Sequence, residues 1–358
     1  MIRRLLMAMV LLVAFAMGLV WLYRAEVATW AFERGALRSM STDVIAELPQ
    51  GLHLFVCGAG APLPDPLRSG PCLAVIAGER LFVVDAGSGG ARNLQAAGVS
   101  PGRIEALFLT HFHSDHIDGL GEMAMLRWTG GGHETPLPVH GPPGVERVVD
   151  GFNHAYGQDF FYRVAHHGRD VVPPSGAGGK AETFQMPPRG EPQVVFEVDG
   201  VRVTAFRVGH HPVEPAVGYR FDFGGRSVVV SGDTTRNEDV LAISQDVDLL
   251  AHEALAPHLV AVLERAARAT GQDRLAKILF DIPDYHTTPV EAAEIAAAAG
   301  ARALLLYHIV PQLPIPGLQA AFLRGVSSAY AGSVTLSRDG TLVSLPTGTD
   351  RIEVGKLP

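Results

Sequence analysis

Three imidazoles and a carboxylate fall within six residues, at His111, His113, Asp115 and His116. Imidazole nitrogen and carboxylate oxygen are good zinc ligands, and alternate positions on an extended backbone project to one side. The apolar run at residues 104–109, just ahead of the cluster, reads as a buried strand. Ligands at the exit of a rigid strand are held more firmly than ligands on a free loop. The competing reading, a His-rich surface loop, is weakened by further His and Asp residues that follow strand-like runs downstream, at His210, Asp233 and His308.

The pattern His111-x-His113-x-Asp115-His116 resembles the signature of the metallo-β-lactamase-fold hydrolases. The order of motifs over residues 52–345 is similar to the branch that holds ribonuclease Z and the zinc-dependent arylsulfatases. The resemblance implies an α/β fold, a four-layer αββα sandwich, and two divalent ions, zinc first, with manganese or iron also compatible with His/Asp ligands. It implies His111, His113 and His210 at one ion, Asp115, His116 and His308 at the other, and Asp233 between them. His211 competes with His210: the arylsulfatase-like pattern Val-x-His-Gly-Pro-Val aligns His210 with the ligand and puts His211 where that pattern has Gly.

The resemblance also assigns roles beyond ligation. An Asp at the position of Asp85 lies next to the metals and supports ligands. Asp115 carries a second task, orienting and deprotonating the attacking water. His286 resembles the histidine of the His-Ser-Thr element that protonates the leaving group in ribonuclease Z, with Glu253 of a His-Glu-Ala motif orienting it. Here the element reads His286-Thr287-Thr288. On residue type alone, Asp85 and Asp233 also suit turns, and His286 also suits a helix flank.

The elements that must position these residues are legible as runs and breaks. Strands are expected at 52–57, 72–77 and 81–84, with a turn at Gly78-Glu79. A short helix over 91–97 stops at Gly98, and another helix starts near Asp118. Asp199-Gly200 suits a type I′ turn between strands 194–198 and 201–208. Strands at 219–223, 226–230 and 247–251 lead to Asp233 and Glu253. A helix is expected over 257–270. Thr288, Pro289 and Glu291 make a capping box with proline at the first helical position, Gly300 ends that helix, and the strand 303–306 presents His308. Residues 129–193 are rich in Gly and Pro and carry His133, His140, His154, His166 and His167, read as surface or packing histidines.

The chain has 358 residues, 47% hydrophobic and 18% charged, which suits a compact enzyme rather than a disordered protein. Met1-Ile2-Arg3-Arg4 precedes an uncharged apolar run at residues 5–23. That length approaches the roughly 30 Å hydrocarbon thickness of a bilayer. Residues 1–24 therefore read as a membrane anchor, with a cleaved signal sequence as the competitor because Ala14-Phe15-Ala16 resembles a cleavage site. Residues 25–50 read as a connector and 51–350 as the catalytic domain. The short basic tail favours an inner-membrane anchor with the catalytic domain in the periplasm; secretion after cleavage is the alternative. Cys57 and Cys72, the only two cysteines, flank a hairpin-like return that could bring the two sulfurs together. A disulfide there fits an oxidising compartment, and two separate thiols fit the cytosol.

The leading functional expectation is an arylsulfatase-like hydrolase of sulfate or phosphate (di)esters, acting on a small-molecule ester. A net charge of −8 and the lack of a basic, Gly-Pro-patterned arm in residues 129–193 set nucleic acid aside. A ribonuclease Z-like endonuclease that processes tRNA 3′ ends is the alternative, followed by a lactonase or β-lactamase. A metal-free scaffold is the non-enzyme alternative. A homodimer stays open.

Overall fold

The computed structural model describes residues 1–357. The chain divides into two compact units, Met1–Val44 and Ile45–Pro358.

The first unit is two helices, Ile2–Leu22 and Arg24–Ser41. The helix Ile2–Leu22 has 21 residues and a mean hydropathy of 2.7, and none of its residues is buried. At about 1.5 Å per residue it is long enough to cross a bilayer core. It has the length and composition of an anchor or a signal sequence. The stretch expected as a connector is helical over Arg24–Ser41, where Arg24 lies 4.9 Å from the centre of the Trp21 ring and Arg34 lies 5.6 Å from that of Trp30.

The second unit holds two sheets. Eight strands run in the order Glu353–Gly355, Leu342–Pro346, Gly51–Gly58, Cys72–Ala77, Arg80–Val84, Ile104–Phe108, Leu137–Gly141 and Gly179–Thr183. Seven run in the order Ser333–Leu336, Ala303–Val310, Leu249–Leu255, Arg226–Val230, Val217–Phe223, Val201–Arg207 and Gln193–Val198. Alternation along each strand decides which layer a side chain joins. Leu52, Leu54 and Val56 meet Val203, Tyr219, Phe221 and Val230 between the sheets. Phe55 and Cys57 point the other way, into a layer shared with Leu94, Met123, Val145 and Val149 from helices. Val229, Leu250 and Leu304 do the same on the second sheet, against Ala292, Ile295 and Ala296 of the helix Pro289–Ala299. Helix, sheet, sheet and helix make the four-layer sandwich.

Cys57 and Cys72 are joined in a disulfide with their Cα atoms 5.0 Å apart. The unit starts at Ile45, earlier than residue 51, because Ile45 packs into the first helix layer. It extends past residue 350 because Glu353–Gly355 pairs with Leu342–Pro346. The region 129–193 is more regular than its composition suggests. It contains the strand Leu137–Gly141, the 23-residue helix Val145–His167 and the strand Gly179–Thr183. A second helix missed on sequence, Asp273–Asp281, packs on Pro257–Ala269.

Candidate metal centre

Every candidate ligand sits at the end of a buried strand or on the turn that follows it. The strand Ile104–Phe108 ends at the loop that carries His111 and His113, and the one-turn helix Ser114–Ile117 carries Asp115 and His116. His210 follows Val201–Arg207, Asp233 follows Arg226–Val230, and His308 lies within Ala303–Val310. The loop packs tightly: a Cβ on Gly87 would come within 2.5 Å of the Asp115 carbonyl oxygen, so only glycine allows that approach. Asp85 and His308 both hold positive φ, 59° and 47°, a conformation that non-glycine residues keep when the surrounding structure demands it.

The side chains converge in two groups. Ligand atoms of His111, His113, His210 and Asp233 lie within 4.8 Å of one another, and so do those of Asp115, His116 and His308. His111 Nε2 is 3.0 Å from His113 Nδ1, and His210 Nε2 is 3.4 Å from the same atom. Two ligands about 2.0–2.1 Å from one tetrahedral ion are about 3.4 Å apart, so the spacing fits a shared ion. Asp233 Oδ2 lies 3.3 Å from His116 Nε2 and 3.3 Å from His308 Nε2 on one side. It lies 3.8 Å from His111 Nε2 and 3.9 Å from His210 Nε2 on the other. His308 Nε2 is 3.3 Å from Asp115 Oδ2. His116 Nε2 and Asp233 Oδ1 are buried without a hydrogen-bond partner. Orphaned atoms of that kind are costly unless something else satisfies them, and a divalent cation would satisfy these. His211, the competitor of His210, is exposed and belongs to neither group.

A second layer fixes the tautomers. His116 Nδ1 donates to Asp85 Oδ2 at 2.8 Å. His111 Nδ1 donates to Thr110 Oγ1 at 3.0 Å, and that hydroxyl in turn donates to Asp85 at 2.9 Å. His210 Nδ1 donates to the Tyr285 carbonyl at 2.9 Å. Each bond leaves the Nε2 lone pair facing the centre. Thr110 and Tyr285 were not singled out on sequence. The signal for Thr110 was its place between a buried strand and the first histidine; nothing in the sequence points to a backbone carbonyl as the partner of His210.

Charge differs between the groups. Burial pushes His111 well below its ordinary value, and it pushes His113 down; neighbouring imidazoles add to this in both. Burial lowers His210 to about 4. His116 is opposite: burial pushes it down, but Asp233, Asp85 and Asp115 outweigh burial and raise it well above 6.5. Burial pushes Asp115 up, and His116 and His308 more than offset that. The first group offers neutral lone pairs; the second offers a negative potential that draws a cation.

Beside both lies His286, with side-chain exposure of 7%. Its Nδ1 is 3.3 Å from Glu253 Oε2, an ion pair rather than an aligned hydrogen bond. Burial pushes the His286 imidazole down, and the Glu253 carboxylate, then Asp233, push it up further, so the net shift is upward. Glu253 is fully buried, and its Oε1 accepts from the Thr287 N–H at 2.7 Å. His286 also lies within ligand reach of Asp233 and His308. Of the histidines between 129 and 193, none joins a ligand group among the described residues; His140, for one, stacks on Phe108 at 4.9 Å.

Residues 65–281, more than half of the chain, match the model of the metallo-β-lactamase superfamily. The chain belongs to that superfamily. It is a metal-dependent hydrolase that acts on ester bonds. It is 35% identical over 290 residues to the ribonuclease Z of Mycolicibacterium paratuberculosis, covering 80% of this chain and 96% of that one. To the ribonuclease Z of Mycobacterium bovis it is 32% identical, with the same coverage. The fold is shared with human tRNase Z, short form, at a TM-score of 0.57 and 20% identity, over 82% of this chain and 99% of that one. It is also shared with the metallo-β-lactamase fold protein YhfI of Bacillus subtilis, at 0.58 and 20%, over 82% and 100%.

These relatives overturn one expectation. A small-molecule ester as partner, with nucleic acid set aside, does not stand, because the relatives matched over nearly their whole length are ribonucleases. The physical reason is that a net charge of −8 averages the whole surface and says little about one groove. The arylsulfatase-like expectation gains no specific support, and the ribonuclease Z-like alternative gains it.

Proposed function

We propose that this chain is a ribonuclease Z-like phosphodiesterase that cleaves RNA. The observation that carries the reading is the buried His286–Glu253 pair beside two groups of metal-ligand side chains, in a chain 35% identical to a ribonuclease Z. His111, His113 and His210 would hold one divalent ion, Asp115, His116 and His308 the second, and Asp233 both. Zinc suits the His-rich set. Two such ions supply positive charge at the scissile phosphate and lower the pKa of a water to around 7.

The chain's own residues do the rest. Asp115, about one-tenth exposed at its side chain, orients the attacking water and takes its proton. His286 gives a proton to the leaving oxygen. Glu253 holds the imidazolium in place and favours its charged form, because the two opposite charges lie 3.3 Å apart in a dry site. Asp85 orients His116 directly and His111 through Thr110.

The test is a panel of precursor tRNA, unstructured RNA, an aryl phosphodiester and an aryl sulfate, run with metal analysis of the purified chain. The expected result is cleavage of RNA with about two equivalents of metal. RNA left intact while the aryl sulfate turns over would overturn the reading.

The compartment is argued from other residues. The helix Ile2–Leu22 and the Cys57–Cys72 disulfide support an anchored enzyme whose catalytic unit lies outside the cytoplasm. The RNA it meets there is external to the cytoplasmic tRNA pathway. Protease accessibility of the catalytic unit in intact cells tests this; protection after opening of the outer envelope would place it in the cytoplasm.

A further inference from the structure

Asp233 Oδ2 and His308 Nε2 lie 3.3 Å apart, yet the two residues come from strands that are not neighbours. Arg226–Val230, which leads to Asp233, and Ala303–Val310, which carries His308, are separated in the sheet by Leu249–Leu255. Each leaves regular strand geometry where it delivers its candidate ligand. Gly232 takes a φ of 64° one residue before Asp233, and a Cβ there would come within 2.7 Å of the Val217 carbonyl oxygen. Tyr307 pairs with Glu253 and Ile309 with Ala254, so His308, with φ of 47°, is the extra residue of a bulge. A bulge re-aims one side chain and interrupts the ladder. The ladder thus ends before Asp233 and breaks at His308, so it cannot by itself set the distance between them.

A pair of buried hydroxyls spans the gap. Tyr307 precedes His308, and Ser231 lies two residues before Asp233; they are 1% and 0% exposed. The Tyr307 ring sits in the apolar layer between the sheets with Val217, Val230, Ala251 and Leu305. Its hydroxyl reaches past the intervening strand to accept from the Gly232 N–H at 3.1 Å, and it is hydrogen-bonded to the Ser231 side chain. The Ser231 hydroxyl donates to the Gly232 carbonyl at 2.7 Å and accepts from the Glu253 N–H at 3.0 Å. The peptide groups on both sides of the Gly232 Cα are therefore held, one by each hydroxyl, and the second of them enters Asp233. Packing alone needs no hydroxyl here, since Phe82 and Phe221 fill the same layer. A hydroxyl in a dry layer is costly unless it is bonded, and a buried network with its members satisfied is rigid.

We propose that Tyr307 and Ser231 are positioning residues, which clamp the turn at Gly232 so that Asp233 meets His308 at the distance a shared ion requires. The inference rests on the two-ion assignment made under the proposed function and adds to it the residues that set its spacing.

The test uses the full-length chain in detergent, stripped of metal. It is titrated with zinc against a chromophoric chelator, and separately with cobalt, whose visible absorption reports the geometry of its ligands. In Tyr307→Phe, zinc affinity is expected to fall roughly 10–100-fold, the range for a ligand that loses its outer support, and the cobalt spectrum at saturation is expected to change shape. Ser231→Ala should act in the same direction, and as the smaller alteration it carries the test if Tyr307→Phe does not fold. Tyr330→Phe is the control. Tyr330 is also buried, on the helix side of the second sheet, and its hydroxyl donates to the Ala301 carbonyl at 2.6 Å. Its loss should lower the denaturant midpoint while leaving zinc affinity within about twofold and the cobalt spectrum unchanged. Parent-like zinc affinity and cobalt spectra in folded Tyr307→Phe and Ser231→Ala overturn this inference alone, whether or not the enzyme cleaves RNA. An equal loss of affinity in Tyr330→Phe also overturns it, because the effect would then follow stability and not the clamp. A parent chain that binds neither metal overturns the two-ion assignment and this inference together.

Discussion

The two groups of candidate ligands both reach Asp233 but differ in charge. Around His111, His113 and His210 burial favours the neutral imidazole. Around His116 three carboxylates, Asp233, Asp85 and Asp115, make a site that holds positive charge even at a buried imidazole. The carboxylates Asp85 and Asp115 lie on the His116 side, so negative charge is concentrated in the second group. Asp233 Oδ2 lies within 4 Å of both groups.

The largest expected effect follows from that sharing. Asp233→Ala should lose both equivalents of metal and bring hydrolysis to background; retention of either ion at full occupancy would break the comparison. The next removes the proposed proton donor. His286→Ala should keep both metals and lose on the order of 10²–10⁴-fold in rate, with a smaller loss on esters whose leaving groups need no proton. Loss of a metal in this variant would move His286 into the ligand set, which its distance to Asp233 and His308 allows.

Asp85 sharpens the comparison because it serves both groups unequally. It bonds His116 directly and His111 only through Thr110. Asp85→Asn keeps a residue that tolerates φ of 59° while removing the charge. Metal affinity should fall roughly 10–100-fold, the usual cost of a lost outer partner, and calorimetric titration should show the loss mainly at the His116 ion.

The pH profile carries a smaller effect. Glu253 raises the His286 imidazole, so the protonated donor persists to higher pH than it would alone. A raised donor is fully protonated below its pKa and loses activity as pH rises through it. Glu253→Gln lowers that pKa, so the alkaline limb of kcat should move to lower pH; a limb that stays put would remove His286 as the titrating group. The smallest effect on catalysis lies away from both groups. Replacing Cys57 and Cys72 by serine should cost roughly 3 kcal/mol of stability in the chain-entropy model, read by denaturant unfolding, and change kcat by less than about threefold.

The sequence by itself pointed to the candidate ligands. His111, His113, Asp115 and His116 are local, and a pattern of residue types at fixed spacing needs no fold to be recognised. The capping box at Thr288–Glu291 and the left-handed turn at Asp199-Gly200 are equally local, and both are present in the structure. Residues 129–193 failed that logic because Gly and Pro punctuate them. The helix Val145–His167 has only Val145 and Val149 fully buried, so it carries little periodic apolar signal. Tertiary structure alone decided the pairing of Leu342–Pro346 with Gly51–Gly58, nearly 300 residues apart in the chain, within one sheet. It decided that Tyr285 offers its carbonyl to His210 and its ring to a cavity of about 1040 Å³. It also decided the charge of that cavity, because Glu214, Asp239 and Asp284 come from three separate loops and helices. Charge in a groove is set by which distant residues meet there, and a sum over the chain cannot report it.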